Sequence, residues 1–213
     1  MSIIVNTKPA RKAPQFMSHA GDLAGSGVGW SWTHNIEPQA KAIVIALLGS
    51  WYWSLYGYGA SVAGVSATQA AVASYNFTGL NYGLFSIYVM LNPPTGPQTC
   101  SVAVSSTSNY GSCSGVSFTY DKVTAIGSPC GATGTQSFSV PGGNNVTVFN
   151  SFMKLGGWSG GDYTGFSPNP TWVNANCAVG DGSPGATNPT FGFTSTSGVS
   201  PCWGLYAPLI GEP

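Results

Sequence analysis

Charge is what this chain has least of. Six basic and six acidic residues make up 6% of the 213, where about 25% is ordinary for a soluble domain. Net charge is zero but unevenly spread; the three basic residues near the N-terminus could dock on an acidic neighbour or on nucleic acid, but three charges are a weak footprint for a polyanion, and nucleic acid is not an expected partner. Histidine is nearly as scarce, with only His19 and His34. No Gly-x-Ser-x-Gly occurs, so a Ser-His-acid set has little to be built from. A carboxylate pair for glycoside hydrolysis would have to come from Asp162 and Asp181, the two aspartates that share a turn-rich region. Isolated loop aspartates more often cap turns. The chain therefore reads as non-enzymatic. Its five cysteines, Cys100, Cys113, Cys130, Cys177 and Cys202, show no CxxC spacing, which argues against a zinc site. Acidic groups are too dispersed to suggest calcium, so neither metal nor cofactor is expected. The longest apolar run, Ala42 to Leu48, stops far short of the roughly 20 residues that cross a bilayer. At the start, Ile3-Ile-Val5 precedes the positive residues, the reverse of a signal peptide. Synthesis and folding in a cytoplasm are therefore expected, with reduced thiols and no membrane insertion.

What the chain does have is glycine, proline and strand formers. The hydrophobic fraction, 43%, is that of a folded domain. A surface without charge must then be made of Ser, Thr, Asn, Gly and Tyr, a composition that suits extracellular, fibrous or virion proteins. Apolar and polar residues alternate in short runs separated by Gly and Pro turns, the pattern of an all-β domain. The expected strands begin with the alternation around Trp30 and Trp32. The run Lys41 to Ser50 has a near-continuous apolar character that predicts burial on both faces or in a core. Further strands are expected over Tyr58–Val65, Gln69–Ser74, Tyr82–Leu91, Gln98–Ser105, Val116–Ala125, Gln136–Val140, Asn145–Met153, Thr190–Thr196 and Cys202–Leu209. Strands at such spacing predict a β-sandwich or jelly roll.

Two regions break the pattern. Residues 1–25 contain Pro9, Pro14, Gly21 and Gly25 and little periodicity, and read as an extended N-terminal arm before a single domain over 26–213. The arm carries Lys8, Arg11 and Lys12 and no acid before Asp22, so it is a candidate assembly device across a neighbouring subunit; the plainer reading is a solvated terminus. Residues 155–190 are rich in Gly, Pro and Asn and read as a long ordered excursion with one short strand near Trp172-Val173. Aromatics in such a loop, Trp158, Tyr163, Phe166 and Trp172, are candidate contacts for a partner or a glycan. Trp51 and Trp53, flanked by Tyr52, Tyr56 and Tyr58, form a second candidate cluster; the alternative for both is internal packing.

Leu84 to Val104 holds the most distinctive wording. A strand-forming run, Leu84-Phe-Ser-Ile-Tyr-Val-Met-Leu91, meets Asn92-Pro-Pro-Thr-Gly-Pro97, which cannot continue a ladder. A second alternating run, Thr99 to Val104, follows. Together they predict a hairpin-like corner.

That corner, together with Gly29-Trp-Ser-Trp-Thr-His34, Ala40-Lys-Ala-Ile-Val-Ile-Ala46, Tyr56-Gly-Tyr-Gly59 and Val116-Ser-Phe-Thr-Tyr120, resembles the β-rich minor tail proteins of actinobacterial phages. The resemblance covers most of residues 28–209 in pattern. It departs at Ala60-Ser-Val-Ala-Gly64, where the family commonly has a methionine-bearing strand. It implies a β-sandwich unit in a virion, on the tail or baseplate, with other virion proteins and further copies of itself as partners. A structural role, or adhesion to a host cell-wall glycan, would follow. Capsid decoration and a carbohydrate-binding module are the alternatives.

Overall fold

The structure is a computed structural model that describes residues 12–22, 27–52, 55–76, 81–106, 111–134, 137–154, 163–166, 172–173, 177–193 and 202–212. The protein is all-β, with antiparallel pairing throughout and no helix among the described residues. A central sheet of five strands runs in the order β1 (Phe16–Asp22), β9 (Gly111–Tyr120), β3 (Ala42–Tyr52), β7 (Asn81–Leu91), β6 (Thr68–Asn76). A front sheet of four runs β2 (Gly29–Ile36), β8 (Gly96–Ser106), β4 (Leu55–Val62), β5 (Val65–Ser66). A rear sheet runs β10 (Ala125–Ile126), β18 (Cys202–Ile210), β13 (Val146–Lys154), β16 (Cys177–Asp181), β15 (Trp172–Val173), with β11 (Cys130–Gly134) also on β18. A small cap sheet of β12 (Ser137–Ser139), β17 (Thr190–Phe193) and β14 (Tyr163–Thr164) completes the set.

Strand β3 explains the stacking. All residues from Ala42 to Leu48 are buried. Successive side chains on a strand point to opposite faces, so the apolar run feeds two cores. Ile43, Ile45 and Leu47 pack with Val62, Val102 and Val104 of the front sheet. Val44, Ala46 and Leu48 pack with Phe149, Leu205 and Leu209 of the rear sheet. Its neighbours divide in the same way, with Phe85, Ile87 and Val89 of β7 facing rearward and Leu84 and Tyr88 facing forward. A third cluster joins Val148, Cys202 and Tyr206 of the rear sheet to Phe138, Phe191 and Phe193 of the cap. Gly204 of β18 makes that approach tight, because a Cβ there would collide with the Phe138 ring.

The proline corner changes sheets and is not a hairpin. Strand β7 pairs with β3 and β6, whereas β8 pairs with β2 and β4. Asn92 turns the chain with φ of 50°, a left-handed conformation that Asn tolerates better than most residues. Its N–H donates to the Lys41 carbonyl at 2.8 Å. Pro93 is buried beneath the turn and Pro94 exposed. The local signals are the same for a hairpin and for an arch between sheets, so only the packing of the two apolar faces distinguishes them.

Three further differences have local causes. The arm does not run free to residue 25, because Phe16–Asp22 forms the edge strand β1 on β9. A register shift between Phe16 and Ser18 scrambles the alternation that would have marked it. The excursion does contain the short strand at Trp172-Val173, and it also supplies β14 and β16. The Cys-Ala-Val-Gly-Asp of β16 and the Cys-Gly-Ala-Thr-Gly of β11 are too small and glycine-rich to signal strands, and both are recruited by β13 and β18.

The β4–β5 connection is a two-residue turn, Ala63-Gly64, with φ of 52° and 78°. That is the type I′ pattern, which favours Asn-Gly; exposed Ala63 carries a strained backbone. Replacement Ala63→Asn is expected to stabilise the fold by about 0.5–1 kcal/mol, read as a higher urea midpoint; a lower midpoint would contradict the turn assignment.

Candidate functional site

Polar groups are concentrated at one place between the front and central sheets, where β1, β2 and β9 meet. The cause is glycine. Gly21 of β1 (φ of 101°) and Gly115 of β9 lie under the Trp32 indole, and a Cβ on Gly115 would stand 2.6 Å from that ring. The slot lets Trp32 Nε1 donate to Ser117 Oγ at 2.8 Å. Ser117 Oγ lies 2.7 Å from His34 Nδ1, and His34 Nε2 lies 2.9 Å from Ser18 Oγ. Ser18 Oγ is 2.8 Å from Thr119 Oγ1, which donates to Glu37 Oε2 at 2.8 Å. The indole N–H can only donate and the carboxylate can only accept. One assignment gives each of these five contacts a single proton and leaves the Ala20 carbonyl, 3.2 Å from Ser117 Oγ, as a second acceptor for the Ser117 hydrogen. Ser117 donates to Nδ1, the Nε2–H donates to Ser18, and Ser18 passes its own proton toward Thr119 and Glu37. The chain of donors runs from β2 through β9 and β1 to the turn after β2.

Electrostatics follow from burial. Burial pushes the His34 imidazole below its ordinary pKa, and the nearby Glu37 charge only partly opposes this. Burial alone would raise the Glu37 carboxyl, but hydrogen bonds from Ser18, its own backbone and Thr119, with the His34 charge, hold it below the ordinary value. On the same interface, burial pushes the Cys100 thiol up to about 11 despite a hydrogen bond with Ser117. Burial raises Cys113 as well.

Chemically, Ser18 and His34 stand at the separation of a nucleophile and its base. The orienting group on Nδ1 is the Ser117 hydroxyl, however, and the carboxylate lies on the serine side. Glu37 therefore holds the Ser18 proton away from the imidazole, where a triad acid would instead stabilise an imidazolium. The arrangement is a strut joining strands. Sequence reasoning could not find it, since Ser18 and Ser117 lie 16 and 83 positions from His34 and neither sits in a motif.

The described residues singled out from sequence lie elsewhere. Tyr163 and Phe166 are half-buried and pack against the rear–cap core, with Phe166 5.1 Å edge-on to Phe191. They pin the cap. Asp181 is buried in β16 opposite Phe149 and adds to the burial that drives the Tyr120 hydroxyl pKa upward; its proposed companion Asp162 lies outside the described residues. Trp51 and Trp172 fall in β3 and β15, but their side chains, together with Trp53, Trp158, Lys8 and Arg11, lie outside the described set. Lys12 is exposed and its backbone bridges to Glu212.

Two surface features adjoin the front sheet. Its outer face carries a row across all four strands, Ser31, Ser101, Ser61 and Ser66, in which Ser61 and Ser101 are hydrogen-bonded at 2.7 Å. Thr33, Asn35, Thr99 and Ala103 continue it as a flat face without charge. Beside it, the proline corner and the β4–β5 turn enclose an open groove of about 630 Å³ lined by Ala63, Val65, Met90, Leu91 and Pro94. Val65 is 62% exposed there.

Replacement Ser117→Ala leaves the Trp32 N–H and His34 Nδ1 without their shared partner and is expected to cost about 1–3 kcal/mol in chemical denaturation. Cys100 and Cys113 are expected to resist alkylation in the native protein at pH 8 and to react on unfolding, as read by peptide mapping; rapid native labelling would show that the front–central interface opens. Comparison with known protein families, with curated proteins and with solved structures finds no match to this chain.

Proposed function

We propose that this protein is a non-enzymatic structural component of a bacteriophage virion, a minor tail protein whose work is assembly and host-surface attachment. The observation that carries the reading is the uncharged outer face of the front sheet, a flat row of Ser, Thr and Ala over four strands. A rigid face without long charged side chains costs little side-chain entropy to cover, and low surface charge favours association. The adjoining apolar groove at the proline corner extends the area available to a neighbour. The resemblance of that corner to actinophage tail proteins supplies the particle.

Within this reading the front and central sheets are the β-sandwich unit, and the rear and cap sheets are an elaboration of it. Other virion proteins and further copies of this chain are its partners. Adhesion to a host cell-wall glycan would fall to Trp158 and Trp172, and capsid decoration is the neighbouring alternative.

Immunogold electron microscopy of particles from a producing lysate tests the proposal. Label at the tail or tail tip is expected. Label spread over the head would move the protein to the capsid. Absence both of label and of the chain's peptides from purified particles would overturn the structural reading.

A further inference from the structure

We propose that the open side between the front and central sheets, where Tyr58, Gln69, Val72 and the Tyr88 hydroxyl come together, is a binding shelf for an extended, neutral polysaccharide. The shelf is independent of the virion reading and separate from the loop aromatics.

The step that makes the shelf comes from strand length. Strand β5 has two residues and pairs only with Ser61 and Val62 at the end of β4. Ala67 then carries the chain to the central sheet, its N–H donating to the Ala60 carbonyl at 2.9 Å, and β6 runs for nine residues. Past Ser61, β4 is therefore the margin of the front sheet, while β6 still extends the central one. Side chains in this step are left uncovered. Tyr58 lies opposite Val104, on the face of β4 that builds the front core, yet is 37% exposed. Val72 lies opposite the buried Ser86 and is 39% exposed, and Gln69 is exposed as well.

The floor of the step is polar but fixed. Gln69 Nε2 donates to Tyr88 Oη at 3.1 Å and to Ser86 Oγ at 3.3 Å, and Ser86 Oγ donates to the Ala71 carbonyl at 3.0 Å. These bonds hold the Gln69 amide in place and leave its oxygen without a donor among the described residues. Burial, above all, raises the Tyr88 pKa, and the nearby Tyr58 hydroxyl adds to the rise. Further along, the register sets Ser74 opposite Leu84 and Asn76 opposite Tyr82, which in turn is opposite Trp51. From Gln69 to Asn76 the row is about 20 Å long.

The chemistry selects the occupant. No Asp, Glu, Lys, Arg or His occurs between Lys41 and Asp121, the stretch that supplies β3 to β9. An anionic polymer or membrane would find no cation there. A sugar offers what the shelf accepts: an apolar ring face for the Tyr58 ring and the Val72 methyls, and hydroxyls for the amide and the phenols. An extended peptide adding to the edge of β6 is disfavoured by the register shift between Gln69 and Ala71, which breaks the even spacing of edge donors and acceptors.

NMR titration of the full chain with neutral hexasaccharides of glucose, of N-acetylglucosamine and of galactose tests the shelf. At least one is expected to bind with a dissociation constant of about 1 mM or tighter and to shift the amides of Tyr58, Gln69 and Val72. The affinity is expected to be the same in about 0.05 and 0.5 M salt. Tyr58→Ala and Gln69→Ala, both at exposed positions, are each expected to weaken binding about threefold or more at an unchanged melting temperature. Thr33→Ala, on the outer face of the front sheet, is expected to leave it unaltered. Should Tyr58→Ala fail to fold, Gln69→Ala and the shift pattern of the wild type decide. No binding of any of the three sugars, shifts confined to residues 155–190, binding lost at high salt, or full affinity in the folded variants would each overturn the proposal. So would broadening of Tyr58, Gln69 and Val72 that grows with protein concentration and is indifferent to sugar, which would give the shelf to a second copy of the chain.

Discussion

Burial of both faces of β3 is the constraint on which the rest of the molecule depends. A strand with apolar side chains at every position from Ala42 to Leu48 cannot be satisfied by one packing partner. It needs a sheet on each side, and its sheet must have neighbours with the same two-faced character. Strands β7 and β9 meet that need, and the front and rear sheets are the two covers. The low charge of the chain is consistent with this plan. A deep stack of sheets uses much of the sequence as interior, and the outer face of the front sheet is formed largely by Ser, Thr, Asn and Ala.

The two cores differ in kind. The rear core is built on aromatic rings, with Phe118 and Phe149 packed edge to face at 5.1 Å, and its buried polar groups, Thr147, Ser151 and Asp181, come from β13 and β16. The front interface gives part of its area to a line of hydrogen bonds. Replacing those groups with apolar side chains of the same shape would cost little stability and would lose orientation, because hydrocarbon contact does not specify register as donors and acceptors do. The line fixes β1 against β9 and both against β2. It works because two glycines let an indole lie flat enough to begin it.

Much of the fold was legible in the sequence because alternation survives wherever a strand has one dry face or two. The runs in β2, β3, β6, β7, β8, β13, β17 and β18 were expected close to where they stand. Legibility failed where a strand owes its existence to its neighbours. Strand β1 hides behind a register shift, and β11 and β16 are small-residue strands that would not form alone. The site was less legible still. Tyr163 and Phe166 were visible as aromatics, but their role in holding the cap depends on Phe191, which no local pattern connects to them. His34 could be seen only as a histidine at a strand end. Its significance comes from two serines on strands that are distant in sequence, and no spacing rule encodes such a meeting.

The order in which the chain visits its sheets has a consequence for synthesis. It passes from β1 in the central sheet to β2 in front, returns for β3, and goes forward for β4 and β5. It then returns for β6 and β7, crosses at the proline corner to β8, and comes back for β9. On a ribosome, the most apolar strand of the protein therefore emerges long before the strands that flank it. Until β7 and β9 have been made, β3 has neither ladder partner. Through that interval the nascent chain exposes its stickiest segment, and holding it apart from other chains falls to whatever chaperone capacity the cell has near the exit tunnel.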